Sequence, residues 1–273
     1  MKVSGLARSV YYYHVNNKEQ DRFKSIKKKI KVIFLKHKGN YGYRRIHLAL
    51  RNMGISLNPK TVLKLMKELD LQGKVRTKQH RSYKGEIGLV ADNLVNRKFE
   101  APKPNQVWLT DVTEFKVKGA KLYLSAVLDV FNREIIGHSI SRNPNFKLVQ
   151  DSFEKAFKQG YVKNQSADVQ TVVHSDQGWL YQIKSFERLL TPYEMRQSMS
   201  RKGNCLDNAL MEGFFGILKN ECIYTTSFSS VDDAIDQVNQ YIDYYNQERI
   251  KEKLDGKSPM EFRKTYELAR KSA

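Results

Sequence analysis

Apolar positions recur with helical spacing in the first third of the chain and as strand-like runs in the middle. Over residues 17–37, Phe23, Ile26, Ile30, Ile33 and Phe34 share one face, and Lys24, Lys27, Lys28 and Lys31 lie largely on the other, which predicts an amphipathic helix. A second helix is predicted over residues 43–52, with Ile46, Ala49 and Leu50 as its apolar positions. "MGISLN" follows as a short turn containing Gly54. Asn58 suits an N-cap and Pro59 the first position of a third helix. That helix runs to about Asp70, burying Val62, Leu65, Met66 and Leu69 and exposing Lys60, Thr61, Lys64 and Lys67. Two short helices joined by a glycine-containing turn read as a helix-turn-helix over about residues 43–70. In that motif the second helix enters the major groove of DNA. The plainer alternative is a helical hairpin with a solvated lysine face.

Residues 76–106 are polar and basic, with two prolines in "EAPKPNQ", and read as a linker carrying a short helix near residues 89–98. From Val107 the period changes. "VWLTDVTEFKV", "KLYLSAVLDV" and "EIIGHSI" are rich in β-branched and aromatic residues and are separated by tight turns, which predicts an antiparallel meander. Phe146, Val149, Phe153 and Phe157 mark a helix, "VQTVVHSD" a fourth strand, "IKSFERLL" a helix and "MRQSMS" a fifth strand. "SRKGNCLDNALMEGFFGILKNE", residues 200–221, reads as a helix closing the unit. Three strands followed by alternating helices and strands predict an α/β fold with a mixed five-stranded sheet. The chain then ends in a helical, polar tail, with Pro259 opening a last helix. The expected domains are a helical region over 1–75, the linker over 76–106, a catalytic core over 107–222 and a helical C-terminal region over 223–273.

Charge sharpens this division. The formal net charge is +19, and residues 1–100 carry +17 of it, from 24 Lys and Arg against 7 Asp and Glu. A basic first third beside a near-neutral remainder points to a nucleic-acid-binding module joined to something else. The two cysteines, Cys205 and Cys222, make neither a disulfide framework nor a zinc cluster of usual spacing. No apolar run is long enough to span a membrane, and the first residues lack the apolar core of a signal peptide, so a cytoplasmic protein is expected.

Three acids stand out by position. Asp111 interrupts an apolar strand on the side of Leu109 and Thr113, Asp176 ends another strand shortly before Gly178, and Glu212 sits on the closing helix. A carboxylate at a buried strand end is costly unless paired or bound to metal, and three converging carboxylates repel one another. Two Mg²⁺ ions, which favour oxygen ligands, relieve that repulsion and perform in-line phosphoryl transfer. Taken singly, each acid is better explained by a cap or an ion pair; the three together favour the metal reading. Asn208, Glu212 and Lys219 are spaced to share one helical face opposite Leu206, Leu210, Phe214 and Leu218. Lys219 either holds a DNA phosphate or is solvated. Trp179 and Tyr181 either stack on an unpaired base or pack. His174 either orients a ligand or fills space. Gly213 and Gly216 each cost about 1 kcal/mol against alanine in a helix, which suggests close approach by DNA or by a packed neighbour.

The segments "WLTDVTEF", "HSDQG" and "SRKGNCLDNALMEGFFGILKNE" resemble the catalytic signatures of insertion-sequence transposases of the IS-three family, in their second-reading-frame product. Asp176 and Glu212 have 35 residues between them, as in the DDE transposase and retroviral-integrase superfamily. "YGYRRIHLALRNMGISLNPKTVLKLM" resembles the family's helix-turn-helix and "YIDYYNQERIKEKLDGKSPMEF" its closing motif, so the likeness spans nearly the whole chain. It implies a ribonuclease H-like core and metal-dependent DNA cleavage and strand transfer with two Mg²⁺ or Mn²⁺ ions. Asp111, Asp176 and Glu212 would be both the catalytic residues and the metal ligands, and Lys219 the basic residue seven positions after the glutamate. In the family one element end is cut and joined beyond the other, and a circular intermediate then integrates. Water makes the first nick, and the freed 3′-hydroxyl attacks thereafter.

The likeness further implies homo-oligomers on DNA, a first-reading-frame product as fusion or partner, and a bacterial, nucleoid-associated protein. The zinc module of retroviral integrases has no counterpart, and zinc is not expected. Candidate DNA contacts are Arg44, Arg45, Lys60, Lys64 and Lys67 in the helical region, and Trp179, Lys202, Asn208 and Lys219 around the acids. The alternatives from other classes are a non-catalytic DNA-binding regulator of the element and a ribonuclease H-type nuclease. If residues 1–100 supply phosphate contacts, DNA affinity falls steeply as salt rises, measured by titration at several ionic strengths; a flat response refutes that assignment.

Overall fold

The computed structural model describes residues 21–74, 91–95, 100–159, 170–201 and 208–272. The chain divides into two compact units, Met1–Lys74 and Val75–Ala273. Among the described residues no helix is long and apolar enough to cross a membrane.

The first unit holds three helices, α1 (Lys24–Lys36), α2 (Tyr43–Asn52) and α3 (Pro59–Glu68). Ile30, Ile33, Ile46, Leu50, Val62, Leu65 and Met66 form its core, as the helical spacing requires. The first helix starts later than its apolar pattern: the Asp21 carboxylate accepts the Phe23 N–H at 3.0 Å, and the helix begins beyond it at Lys24. Residues 17–20 lie outside the described residues. Gly54, at φ +78°, makes the turn between α2 and α3. The Asn58 side chain caps α3 by accepting the Lys60 N–H at 2.9 Å, with Pro59 next. Lys27 is not part of a free basic face, because it bridges Asp21 at 2.7 Å and Glu68 at 2.8 Å and so ties α1 to the end of α3.

The second unit is built on a mixed sheet of β1 (Val107–Val117), β2 (Ala120–Asp129), β3 (Glu134–Ser141), β4 (Val172–Ser175) and β5 (Arg196–Met199), in the order β3-β2-β1-β4-β5. The first three strands are the expected antiparallel meander, and β4 and β5 are parallel to β1. Helices α4 (Phe146–Lys158), α5 (Lys184–Leu190), α6 (Ala209–Leu218), α7 (Val231–Gln247) and α8 (Pro259–Lys271) complete it. The strand order and the helices between β3, β4 and β5 give a ribonuclease H-like core. The period-2 alternation of β1 sorts the two sides of the sheet. Leu109, Phe115 and Val117 pack with α6 and α7, through Met211, Phe214, Leu218, Val238 and Ile242. Trp108 and Val112 face the cluster of α4 and α5, with Val149, Phe153 and Phe186.

Two sequence expectations fail here. The short helix near residues 89–98 is absent from residues 91–95, which run extended along β5. There the Leu94 N–H donates to Ser198 Oγ at 2.9 Å, and the Met199 N–H donates to the Asp92 carbonyl at 3.3 Å. An edge strand offers unpaired backbone groups, and Asp92 takes one of them, the Met199 N–H. The closing helix does not begin at Ser200, whose N–H donates to the Ser175 carbonyl at 2.9 Å and prolongs the β4–β5 ladder; regular α-helix starts at Ala209. Residues 202–207, with Lys202, Cys205 and Leu206, lie outside the described residues.

The C-terminal helices pack onto the sheet. The Asn246 carboxamide accepts the Ile135 N–H and donates to the Ile135 carbonyl, each at 2.9 Å. Ser258 and Glu261 form a capping box that starts α8. Arg263 then reaches Glu134 at 2.7 Å and also pairs with Asp129, and all three side chains are buried. Burial holds the Asp129 carboxyl above its ordinary range, against the opposing pull of Arg263. Arg263→Met leaves both acids without their cation and is expected to lower the unfolding free energy by about 3–5 kcal/mol, read as an earlier urea midpoint. A shift worth less than about 1 kcal/mol would show that the tail is not anchored through this residue.

Candidate active site

The ladder itself brings the first two acids together. Leu109 of β1 lies beside His174 of β4 in parallel register, so two residues further along each chain Asp111 comes beside Asp176. Asp111 shares the side of Leu109, the side on which α6 packs. Glu212 is in the first turn of α6, and Lys219 follows its last residue and opens a π-helical turn, Lys219–Ile223. All four side chains are half-buried, so each keeps an opening to solvent.

Their electrostatics agree with that placement. The Asp111 carboxyl is held well above the usual carboxylate range, first by burial, then by the charge of Asp176 and further by that of Glu212. The Val112 N–H, which donates to Asp111 Oδ1 at 2.7 Å, and the Lys219 ammonium pull the other way. Burial also raises Asp176, against the Gly178 N–H that donates to its Oδ1 at 2.8 Å. Burial pulls the Lys219 ammonium below its ordinary value, while Asp111 and then Glu114 favour its charge. Among the described residues no cationic side chain forms an ion pair with Asp111 or Asp176. Nor do three His, Cys, Asp or Glu side chains stand close enough together to hold one ion. Half-buried carboxylate oxygens are nonetheless the kind of donor that a hard divalent cation takes.

The open alternatives around the acids divide. His174 is fully buried, with its ring nitrogens 2.8 Å from Ser198 Oγ and 3.2 Å from Ser200 Oγ, so it is a satisfied core residue joining β4 to β5. Tyr181 packs: it meets Phe186 edge-on at 5.1 Å, and its hydroxyl lies 3.3 Å from Thr110 Oγ1. Trp179, two residues earlier, is 57% exposed. Asn208 does not lie on an exposed face. It precedes α6 and is only 4% exposed, and neither polar atom of its carboxamide has a partner among the described residues. A Cβ built on Gly213 meets nothing within 4 Å among the described residues, so none of them explains that glycine by packing.

In the first unit Lys60, Lys64 and Lys67 are exposed on α3, as the pattern predicts. Arg44 is exposed beside Tyr43, and Arg45 is half-buried with its guanidinium 5.6 Å from the Tyr41 ring centre.

Sequence reading passed over two contributors. Gly178 N–H holds Asp176, and a Cβ there would stand 2.8 Å from Asp176 Oδ1. The glycine of "HSDQG" was the available signal. Glu221 and Arg249 form a buried pair behind Lys219. Arg249 is visible in the closing motif, but its partner, 28 residues earlier, is not.

The family model described as "HTH-like domain" matches residues 20–79, and two described as "Integrase core domain" match residues 101–205 and 212–266. The putative transposase InsK for insertion sequence element IS150 of Escherichia coli is 44% identical over 268 residues, covering 97% of this chain and 93% of that protein. Transposase InsF for insertion sequence IS3A, also of Escherichia coli, is 34% identical over 231 residues, covering 84% of this chain and 78% of that protein. Among solved structures, the HTLV-2 integrase catalytic core domain in complex with magnesium is 20% identical with a TM-score of 0.43, covering 59% of this chain and 97% of that one. Helix-turn-helix-like and integrase-core segments in this order, with that identity along almost the full length, place the chain plainly: it belongs to the IS-three family of insertion-sequence transposases.

Proposed function

We propose that this transposase cleaves the ends of its insertion sequence and joins the freed 3′-hydroxyls to target DNA, with Asp111, Asp176 and Glu212 as the catalytic acids. The observation that carries the reading is the strand register that sets half-buried Asp111 beside Asp176, with no cationic side chain among the described residues in an ion pair with either. When bound, two Mg²⁺ or Mn²⁺ ions would activate the attacking hydroxyl and stabilise the leaving oxygen. The three acids are the residues that would hold them, and the Gly178 N–H keeps Asp176 oriented. Lys219 contacts a phosphate next to the acids. Trp179 stacks on an unpaired base. Gly213 leaves room for the DNA backbone.

In the proposed division, residues 1–75 bind the element ends, 76–106 link, 107–222 carry the chemistry and 223–273 brace the core. Lys60, Lys64 and Lys67 face the groove, Arg44, Arg45 and Lys202 reach phosphates, and the protein works in the bacterial cytoplasm as a homo-oligomer on DNA. A first-reading-frame product acts with it as fusion or partner.

Asp176→Asn is expected to reduce strand transfer on a pre-nicked element end with Mg²⁺ on the order of 10³-fold while DNA binding persists. Retained joining would sink the assignment, and hydrolysis without joining by the unaltered protein would favour a nuclease. A second test needs no activity. In metal-free buffer Asp111→Asn is expected to melt above the unaltered protein, because it removes a like charge from a water-poor site. Added Mg²⁺ should then raise the melting temperature of the unaltered protein and not of the variant. Equal responses to Mg²⁺ would count against Asp111 as a ligand.

A further inference from the structure

Lys219 opens a π-helical turn, Lys219–Ile223, immediately after α6. Such turns are rare, give up regular helical hydrogen bonding and cluster where a side chain must be aimed. Glu221 lies inside this one. Its carboxylate accepts from Arg249 Nε at 2.8 Å, from Arg249 Nη2 at 2.6 Å and from the Tyr241 hydroxyl at 2.8 Å. The pair is buried, with side chains 2% and 11% exposed for Arg249 and Glu221. Arg249 is itself placed by the end of α7, where its N–H donates to the Tyr244 carbonyl at 3.0 Å. Beside it Tyr245 meets Phe214 of α6 edge-on at 4.9 Å. The chain thus closes a ring, from α6 through the π turn and Glu221 to Arg249, and back through Tyr245 to α6.

We propose that Arg249 is a positioning residue for Lys219: through Glu221 it fixes the π turn and so the direction in which the Lys219 ammonium is offered beside Asp111. A buried ion pair is a poor device for stability alone, since apolar packing of the same volume does as well. What a guanidinium adds is a planar fork that fixes both carboxylate oxygens at once. Cys222 and Ile223, buried in the same turn, anchor its apolar side without that fork, so the pair governs the setting of the turn more than its existence. The inference rests on the reading of Lys219 as a phosphate contact.

The test is a double-mutant cycle on the full chain with Arg249→Lys, Lys219→Ala and both together. Single-turnover strand transfer is measured at saturating DNA with Mg²⁺, and thermal melts check the fold. Arg249→Lys is expected to slow transfer about tenfold alone and less than about twofold when Lys219 is already alanine. The same fold-loss in both backgrounds, or no loss from Arg249→Lys alone, overturns the proposal. If Arg249→Lys does not fold, Glu221→Gln takes its place in the cycle with the same two overturning results. Full activity of Lys219→Ala by itself would instead defeat the phosphate role of Lys219, and the proposal with it, a result distinct from an additive cycle.

Discussion

Asp111 and Asp176 stand on neighbouring parallel strands, where the ladder gives two like charges no way to part. The register that sets Leu109 beside His174 fixes the spacing of the acids. β1 is the central strand, paired on both sides and packed on both faces. Relaxing the repulsion by sliding β1 would exchange its two faces, because side chains alternate, and would drive Trp108 and Leu109 out of their clusters. Two apolar cores therefore hold a strained electrostatic arrangement in place.

The residues after α6 extend the same logic. They are not an appendage to the core. Asn246 satisfies a backbone pair on β3, Arg249 grips the π turn, and Arg263 neutralises two buried acids at the β2–β3 corner. Each contact is polar, buried and directional, and together they reach β2, β3 and the π turn. Apolar packing of α7 against the sheet would tolerate small shifts; these three do not.

Legibility from sequence followed the range of the forces involved. Strands β1 to β3 and helices α2 and α3 were readable almost to the residue, because periodicity, Asn58–Pro59 and Gly54 are local signals. The acids were readable because a charge within an apolar run is anomalous on its face. What failed was long-range. Residues 91–95 have no strand pattern of their own and are extended only because β5 offers an edge. Tyr181 and Trp179 look alike in sequence, yet opposite burial separates them. Glu221 reads as an ordinary helical acid until Arg249 is brought to it by the fold.

The covering of the sheet at both ends limits what can be added to it. The Asp92 carbonyl occupies the Met199 N–H of β5, and the Asn246 carboxamide occupies the outer backbone of β3 at Ile135. At those positions the ladder is already terminated, so another strand cannot be annealed to it. Any contact made at those positions is therefore made through side chains and not by extending the sheet.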